Sequence, residues 1–148
     1  MRRIWADNKR GAALVEFAIV AMLLFTLLFG IIEFGLLIKD YLTLNQAARE
    51  GARSAALRAG ELAVDERVRG SAAGFDEEQR ADIQVDLSHR VYDPDTGVWT
   101  EWSEGPPPST GEIQVRVKAT YPHQLIAGSF FGLGDTVTVS GDMVMRRE

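Results

Sequence analysis

A lone carboxylate, Glu16, stands near the start of a 27-residue run, Ala12 to Ile38, whose only other charge is Glu33. Lys9-Arg10-Gly11 lies just ahead of it. An acidic side chain in such a run costs about 2.5–3.5 kcal/mol on membrane-insertion scales, so it is a candidate for function rather than packing. It needs a cation within reach, and no Lys or Arg lies in the two turns that follow. Cutting the chain after Gly11 would create one, the α-amino group of Ala12. Glu33, six residues before Lys39, sits near the far end of the run. There a carboxylate can reach toward headgroups or toward a cation on a neighbouring helix.

Other residue types with chemical potential are sparse. His89 and His123 have no partners at a recognisable ligand or triad spacing, so hydrogen-bonded or solvated imidazoles are expected. Asp93, Asp95 and Glu104 resemble a calcium loop only superficially. The sixth position, which needs glycine, is Val98, and Gly97 falls one residue early, so a hairpin turn is the better reading. Gly128, Gly132 and Gly134 lack the Lys and Ser/Thr that a phosphate loop requires. The chain has no cysteine, which excludes disulfides, thiol chemistry and Cys-based metal sites. No catalytic residue, metal or cofactor is therefore expected, and an enzyme is disfavoured. A net charge of -5 argues against nucleic acid as a partner, because phosphate backbones demand clustered Lys and Arg.

The elements that hold Glu16 follow from hydropathy. Phe17 to Ile32 reads FAIVAMLLFTLLFGII, with Thr26 its only polar side chain. At roughly 1.5 Å per residue the whole run extends about 40 Å, more than a hydrocarbon core of about 30 Å. A cleaved secretory signal has an apolar region of about 7–15 residues with its cut site beyond it; this run is longer, and its glycine comes first. A chain of 148 residues cannot bury a helix that is apolar on all sides. A transmembrane helix remains. Arg2, Arg3, Lys9 and Arg10 crowd one flank, whereas Lys39, Arg49, Arg53 and Arg58 are spread along the other. That density places the N-terminus in the cytoplasm and the C-terminal domain outside.

The helix is expected to continue beyond the membrane to about Arg58, with Gly60 as its stop signal. Ala47, Gly51 and Ala55 form a small-residue stripe at spacing four, beside Ala48, Ala52 and Ala56. Small side chains admit a close backbone, either the protein's own sheet or helices of neighbouring subunits, and different faces can do both. A shorter helix is expected over Glu61 to Arg69, broken by Gly70 and Gly74, with a further turn in Phe75 to Ala81. From Asp82 the pattern changes to period two: Ile83, Val85 and Leu87, then Ile113, Val115, Val117, Ala119 and Tyr121, then Val137, Val139, Met143 and Met145. Asp93 to Gly97 is a turn, Val98 to Trp102 a return strand with Trp99 and Trp102 on opposite faces, and Glu104 to Gly111 a proline-rich loop. Three or four antiparallel strands with one apolar face result. The amphipathic half of the long helix is the natural cover, giving an α+β fold: a long N-terminal transmembrane and amphipathic helix packed on a small antiparallel sheet.

Arg10-Gly11-Ala12-Ala13-Leu14-Val15-Glu16-Phe17 resembles a prepilin-peptidase site, in which a basic leader ends in glycine and the mature chain carries Glu and an aromatic at its fifth and sixth positions. Together with Gly30-Ile31-Ile32-Glu33-Phe34-Gly35, Ala47-Ala48-Arg49-Glu50-Gly51-Ala52-Arg53 and the ending Met143 to Glu148, the chain resembles the TadE-like family. The resemblance is good over Lys9 to Ala56 and loose beyond. It implies a pilin-like minor pseudopilin of the tight-adherence (Tad, or Flp) pilus system, hence a role in cell adhesion. Gly11 and Ala12 would flank the processing site, and Glu16 and Phe17 would serve assembly. The implied partners are a prepilin peptidase, other pilins and pseudopilins, the pilus assembly platform and membrane lipid. Ala12 departs from the phenylalanine that begins many mature type IV pilins. The implied organisation is a cytoplasmic leader over 1–11, a span over 12–38, a helical extension over 39–60 and an extracytoplasmic α+β domain over 61–148, located in the bacterial cytoplasmic membrane and in the pilus. The residues alone leave an alternative open, a single-pass anchor that displays a small extracytoplasmic binding domain.

Overall fold

A computed structural model describes residues 4–126, 128, 132 and 134–147. Part of the expected leader and much of the Gly128 to Gly134 loop lie outside the described residues. The chain divides into two compact units, residues 1–36 and 37–148. Helix α1 spans Ile4–Ala56. It contains no proline, so no i→i−4 hydrogen bond is lost, and its interior is rich in Ala, Leu, Ile and Phe. In the first unit the large side chains from Leu14 to Phe34 are exposed on every side of the helix.

The second unit has an ordinary core. Leu44, Ala47, Ala48, Ala52 and Ala55 of α1 are buried with Val64 and Val68 of α2 (Glu61–Ser71) and with Phe75 and Ile83. Against them lies the inner face of an antiparallel sheet: β1 (Gln84–Asp93), β2 (Val98–Trp99), β3 (Ser103–Glu104), β4 (Ile113–Gln124) and β5 (Thr136–Arg146). Its order is β2-β1-β4-β5, with β3 also paired to β1. Strand β4 alternates strictly, burying Ile113, Val115, Val117, Ala119, Tyr121 and His123. That period-two pattern sets register, because a one-residue slip would turn all six toward water. The architecture is α+β and pilin-like, the amphipathic part of α1 lying on the sheet.

Three details differ from the expectations. Helix α1 ends at Ala56, and Arg58 rather than a glycine takes the left-handed conformation, at φ 68°. Arg58 N–H donates to Ala55 O and Ala59 N–H to Ser54 O, a Schellman closure that satisfies carbonyls the helix end would orphan. Gly60 instead forms the N-cap of α2. Helix α2 then runs through Gly70, whose surroundings are open, and the short α3 (Glu77–Ala81) begins with a capping box between Asp76 and Gln79.

The third difference concerns the tryptophans. Tyr92 pairs with Trp99, but His89 pairs with Ser103, so three residues on the return strand face two on β1. This extra residue is a β-bulge, and it reverses the parity of everything after it. An unbroken strand would send Trp99 and Trp102 to opposite faces. With the bulge both meet Arg90, whose guanidinium lies 5.2 Å from one ring and 4.7 Å from the other.

Helix and sheet approach closely at Gly141 of β5. A Cβ there would meet the backbone of α1 at Leu44 and come within 2.6 Å of Asn45 N. Backbone cannot rotate away as a side chain can. Gly141→Ala is expected to destabilise the second unit by about 1–3 kcal/mol through overpacking. Gly70→Ala, in open space within α2, should be neutral or stabilising, by up to about 1 kcal/mol. Chemical unfolding of both variants in detergent checks the contrast.

Candidate functional site

The residues singled out around the N-terminus all lie on α1. Gly11 has open space where a side chain would go, and Ala12, Glu16 and Phe17 are exposed. Among the described residues none pairs with Glu16. Four residues, about 6 Å of rise and a little over one helical turn, separate Ala12 from Glu16. Helical Cα–Cβ bonds tilt toward the N-terminus, so the Glu16 side chain leans back over the turn that begins at Ala12. Helix α1 is long and apolar enough to cross a membrane, and its most apolar window is entirely unburied by the protein. Side chains such as Leu23, Phe25 and Leu27 therefore need lipid or other helices around them.

The small-residue stripe has a different fate. Ala47 and Ala55 are buried, and a Cβ on Gly51 would collide with Val68 and come within 3.2 Å of Val117. Gly51 thus faces the chain's own α2 and β4. The side of α1 turned away from them carries Tyr41, Leu42, Gln46, Arg49 and Arg53.

A buried pair that the sequence did not reveal joins α1 to the sheet. His123 Nδ1–H donates to Asp40 Oδ2 at 2.6 Å, and the two residues are 6% and 3% exposed. Lys39 Nζ lies 3.7 Å from the other carboxylate oxygen. Nearby, Phe75 stacks on Tyr121 with ring centroids 4.6 Å apart, and burial pushes the Tyr121 phenol above its ordinary range. Asp40 and His123 are 83 residues apart in sequence. The available signal was parity: His123 continues the buried series of β4.

The outer face of the sheet carries a cation–aromatic cluster. Arg90 lies over Trp99 and Trp102 and donates to Gln114 Oε1 at 2.7 Å. Arg116 also lies over Trp102 and makes a forked ion pair with Asp142 on β5, a bond that raises its pKa. His89 Nδ1 is 3.2 Å from Gly105 O. In the 93–97 turn Thr96 Oγ1 and Asp95 N–H donate to the Asp93 carboxylate and hold its pKa below the usual value. Both Asp93 oxygens thus serve the turn. Among the described residues no group of three or more metal-ligating side chains converges.

Removing the Asp40 carboxylate leaves a buried imidazole without its acceptor. Asp40→Ala is expected to cost about 3 kcal/mol, where the ranges for a charged hydrogen bond and a broken buried pair meet. Denaturant titration followed by tryptophan fluorescence measures it, and a loss below about 1 kcal/mol would show that the pair is incidental.

Comparison with known proteins adds one finding. Residues 11–53 match the family described as TadE-like protein. No curated protein and no solved structure matches the chain.

Proposed function

We propose that this chain, TadE-like over residues 11–53, is a minor pseudopilin that is cut after Gly11 by a prepilin peptidase and then joins assembly of a Tad-type pilus. The observation that carries this reading is the extent of the match. It begins at the glycine of the cleavage motif, runs through the apolar segment and ends in the buried stripe, so it covers the part of the chain where processing and assembly would act. The family is generally non-enzymatic.

The physical logic is electrostatic. In the uncut chain α1 starts at Ile4, and Glu16 lies three turns inside the helix with no benefit from its positive end. Cleavage makes Ala12 the first residue. Glu16 then sits within about a turn of the new N-terminus, where a carboxylate gains about 0.3–1 kcal/mol from the helix dipole and more from a charged amine. The amine is reached by the same chain's side chain or by that of an adjacent subunit. A pair between subunits would set their axial register, as a buried polar residue does in a coiled coil. The apolar surface from Leu14 to Phe34 supplies contact area, and the pair supplies specificity. Cytoplasmic placement of the N-terminus, with the sheet domain outside, belongs to the same proposal.

Two variants separate the parts of this proposal. Gly11→Leu is expected to keep the leader, seen as a heavier band that does not convert when a prepilin peptidase is co-expressed. Glu16→Ala is expected to be processed normally yet to be at least tenfold depleted from sheared pili, equivalent to about 1.4 kcal/mol of lost assembly energy. Normal incorporation of Glu16→Ala would remove the register role, and an unprocessed wild-type chain would leave the single-pass anchor as the better reading.

A further inference from the structure

The two edges of the sheet are built differently. Strands β2 and β3 close one edge with two residues each, set out of step by the bulge. The other edge is β5, the last strand in the order, and among the described residues no strand pairs with its far side. Its ladder with β4 runs unbroken from Thr136 to Arg146. Arg147 N–H donates to Ile113 O at one end of that ladder, and Leu125 N–H to Asp135 O at the other. Both bonds join odd-numbered residues, so the odd residues of β5 turn their N–H and C=O groups toward β4. The even residues, Thr136, Thr138, Ser140, Asp142, Val144 and Arg146, therefore turn theirs outward, and each of these residues is exposed.

Proteins ordinarily blunt such an edge with proline, lysine, a bulge or extreme shortness. Strand β5 has none of these. Its only charged side chains are already engaged, Asp142 with Arg116 and Arg146 with Glu112. The row of outward donors and acceptors thus matches an uncharged extended backbone better than an acidic or basic one. A second copy of the same edge does not fit. Helix α1 meets His123, opposite Val137, at Asp40, passes Gly141 at Leu44, and meets Val117, opposite Met143, at Gly51. It therefore runs alongside β5 in the same direction. Two β5 strands paired antiparallel through their outward residues keep like faces together. Their helices would then lie about 4.8 Å apart, where packed helices need about 8–10 Å. Sliding the register moves those helices along each other, not apart. Parallel pairing turns one helix to the other face, but a two-fold axis then sets donor opposite donor.

We infer that the outward edge of β5 is a docking site for an extended, uncharged strand of a different polypeptide in the same assembly. That strand bonds backbone to backbone between Thr136 and Arg146 and carries no helix beneath it. On the inner side it continues the row of Val137, Val139, Met143 and Met145, so its residues there are apolar. On the outer side it lies beside Thr138 and Ser140, where β-branched or hydroxyl side chains pair well. This inference rests on the proposed role in pilus assembly.

Hydrogen exchange read at single amides tests this on the whole protein, purified in detergent and again in membranes of cells assembling pili. The amides of Thr138, Ser140, Asp142 and Val144 are expected to exchange freely in the purified protein and about a hundredfold more slowly in those membranes. The amides of Val139, Gly141 and Met143 should be slow in both. Ser140→Pro removes one outward donor and no bond to β4. It is expected to abolish the added protection and to deplete the chain from sheared pili about tenfold, whereas Ser140→Ala, which keeps the donor, should behave as wild type. If Ser140→Pro unfolds, seen as fast exchange at Val139 and Gly141, Val144→Lys blocks the edge with the backbone intact and should give the same loss. Free exchange of the even amides in both samples overturns the inference, and if the chain is still cut after Gly11 and found in pili, the assembly role stands without it. Slow exchange of the even amides in the purified protein shows the chain itself or a second copy on the edge and also overturns it. So does protection in membranes that survives both Ser140→Pro and Val144→Lys. A wild-type chain that stays uncut and absent from pili removes the assembly role, and the inference with it.

Discussion

Two solvents act on one helix. From Leu14 to Phe34 of α1 the large apolar side chains are exposed all round, while between Asp40 and Ala56 one face of the helix is buried at every turn, down to alanine and glycine. Water cannot surround the first stretch without a penalty, at about 25 cal/mol per Å² of apolar surface, that a unit of this size cannot offset. The first stretch therefore has to meet lipid or other helices, and the second has to be clothed by a domain that the same chain supplies. Everything else in the structure serves one of those requirements. The small stripe lets the sheet and α2 approach α1 closely, Gly141 lets β5 cross its backbone, and the Asp40–His123 bond joins helix to sheet where the apolar run ends.

Glu16 is the one group that fits neither requirement. A carboxylate among Val15, Phe17 and Val20 has no partner among the described residues, yet it stands one turn from the residue that would begin the chain after cleavage at Gly11. Under the proposed processing, proteolysis would be an electrostatic switch as well as a trimming step. It would supply a positive charge, move the helix N-terminus next to the carboxylate and remove a cluster of Arg and Lys. A group too costly to carry as a lone charge would become a specific contact once a chain end is there to meet it.

Much of the fold was legible because it is written in periodicity. The 27-residue run reports a helix that is apolar on every side, and the stripe of Ala47, Gly51 and Ala55 and the alternation of β4 each report one face of one element. The parts that were not legible are those decided by a single residue's count or by distant pairing. One extra residue between Trp99 and Ser103 moved Trp102 to the other face and built the Arg90 cluster. Arg58 adopted the left-handed cap that composition assigned to Gly60. The partnership of Asp40 and His123 depends on a helix and a strand meeting across 83 residues, and local pattern carries no trace of it beyond His123's place in the buried register. At the N-terminus the sequence motif and the family match point to the same residues, and the exposed helix adds the reason why a cut there would matter.

The most direct measurement is the intact mass of the wild-type protein taken from its native membrane, with N-terminal sequencing of the same sample. The account predicts a single species that begins at Ala12. A dominant species that retains the first eleven residues, in cells that are assembling pili, would contradict it: Glu16 would then have no terminal amine to meet, and the apolar helix would be an anchor and nothing more.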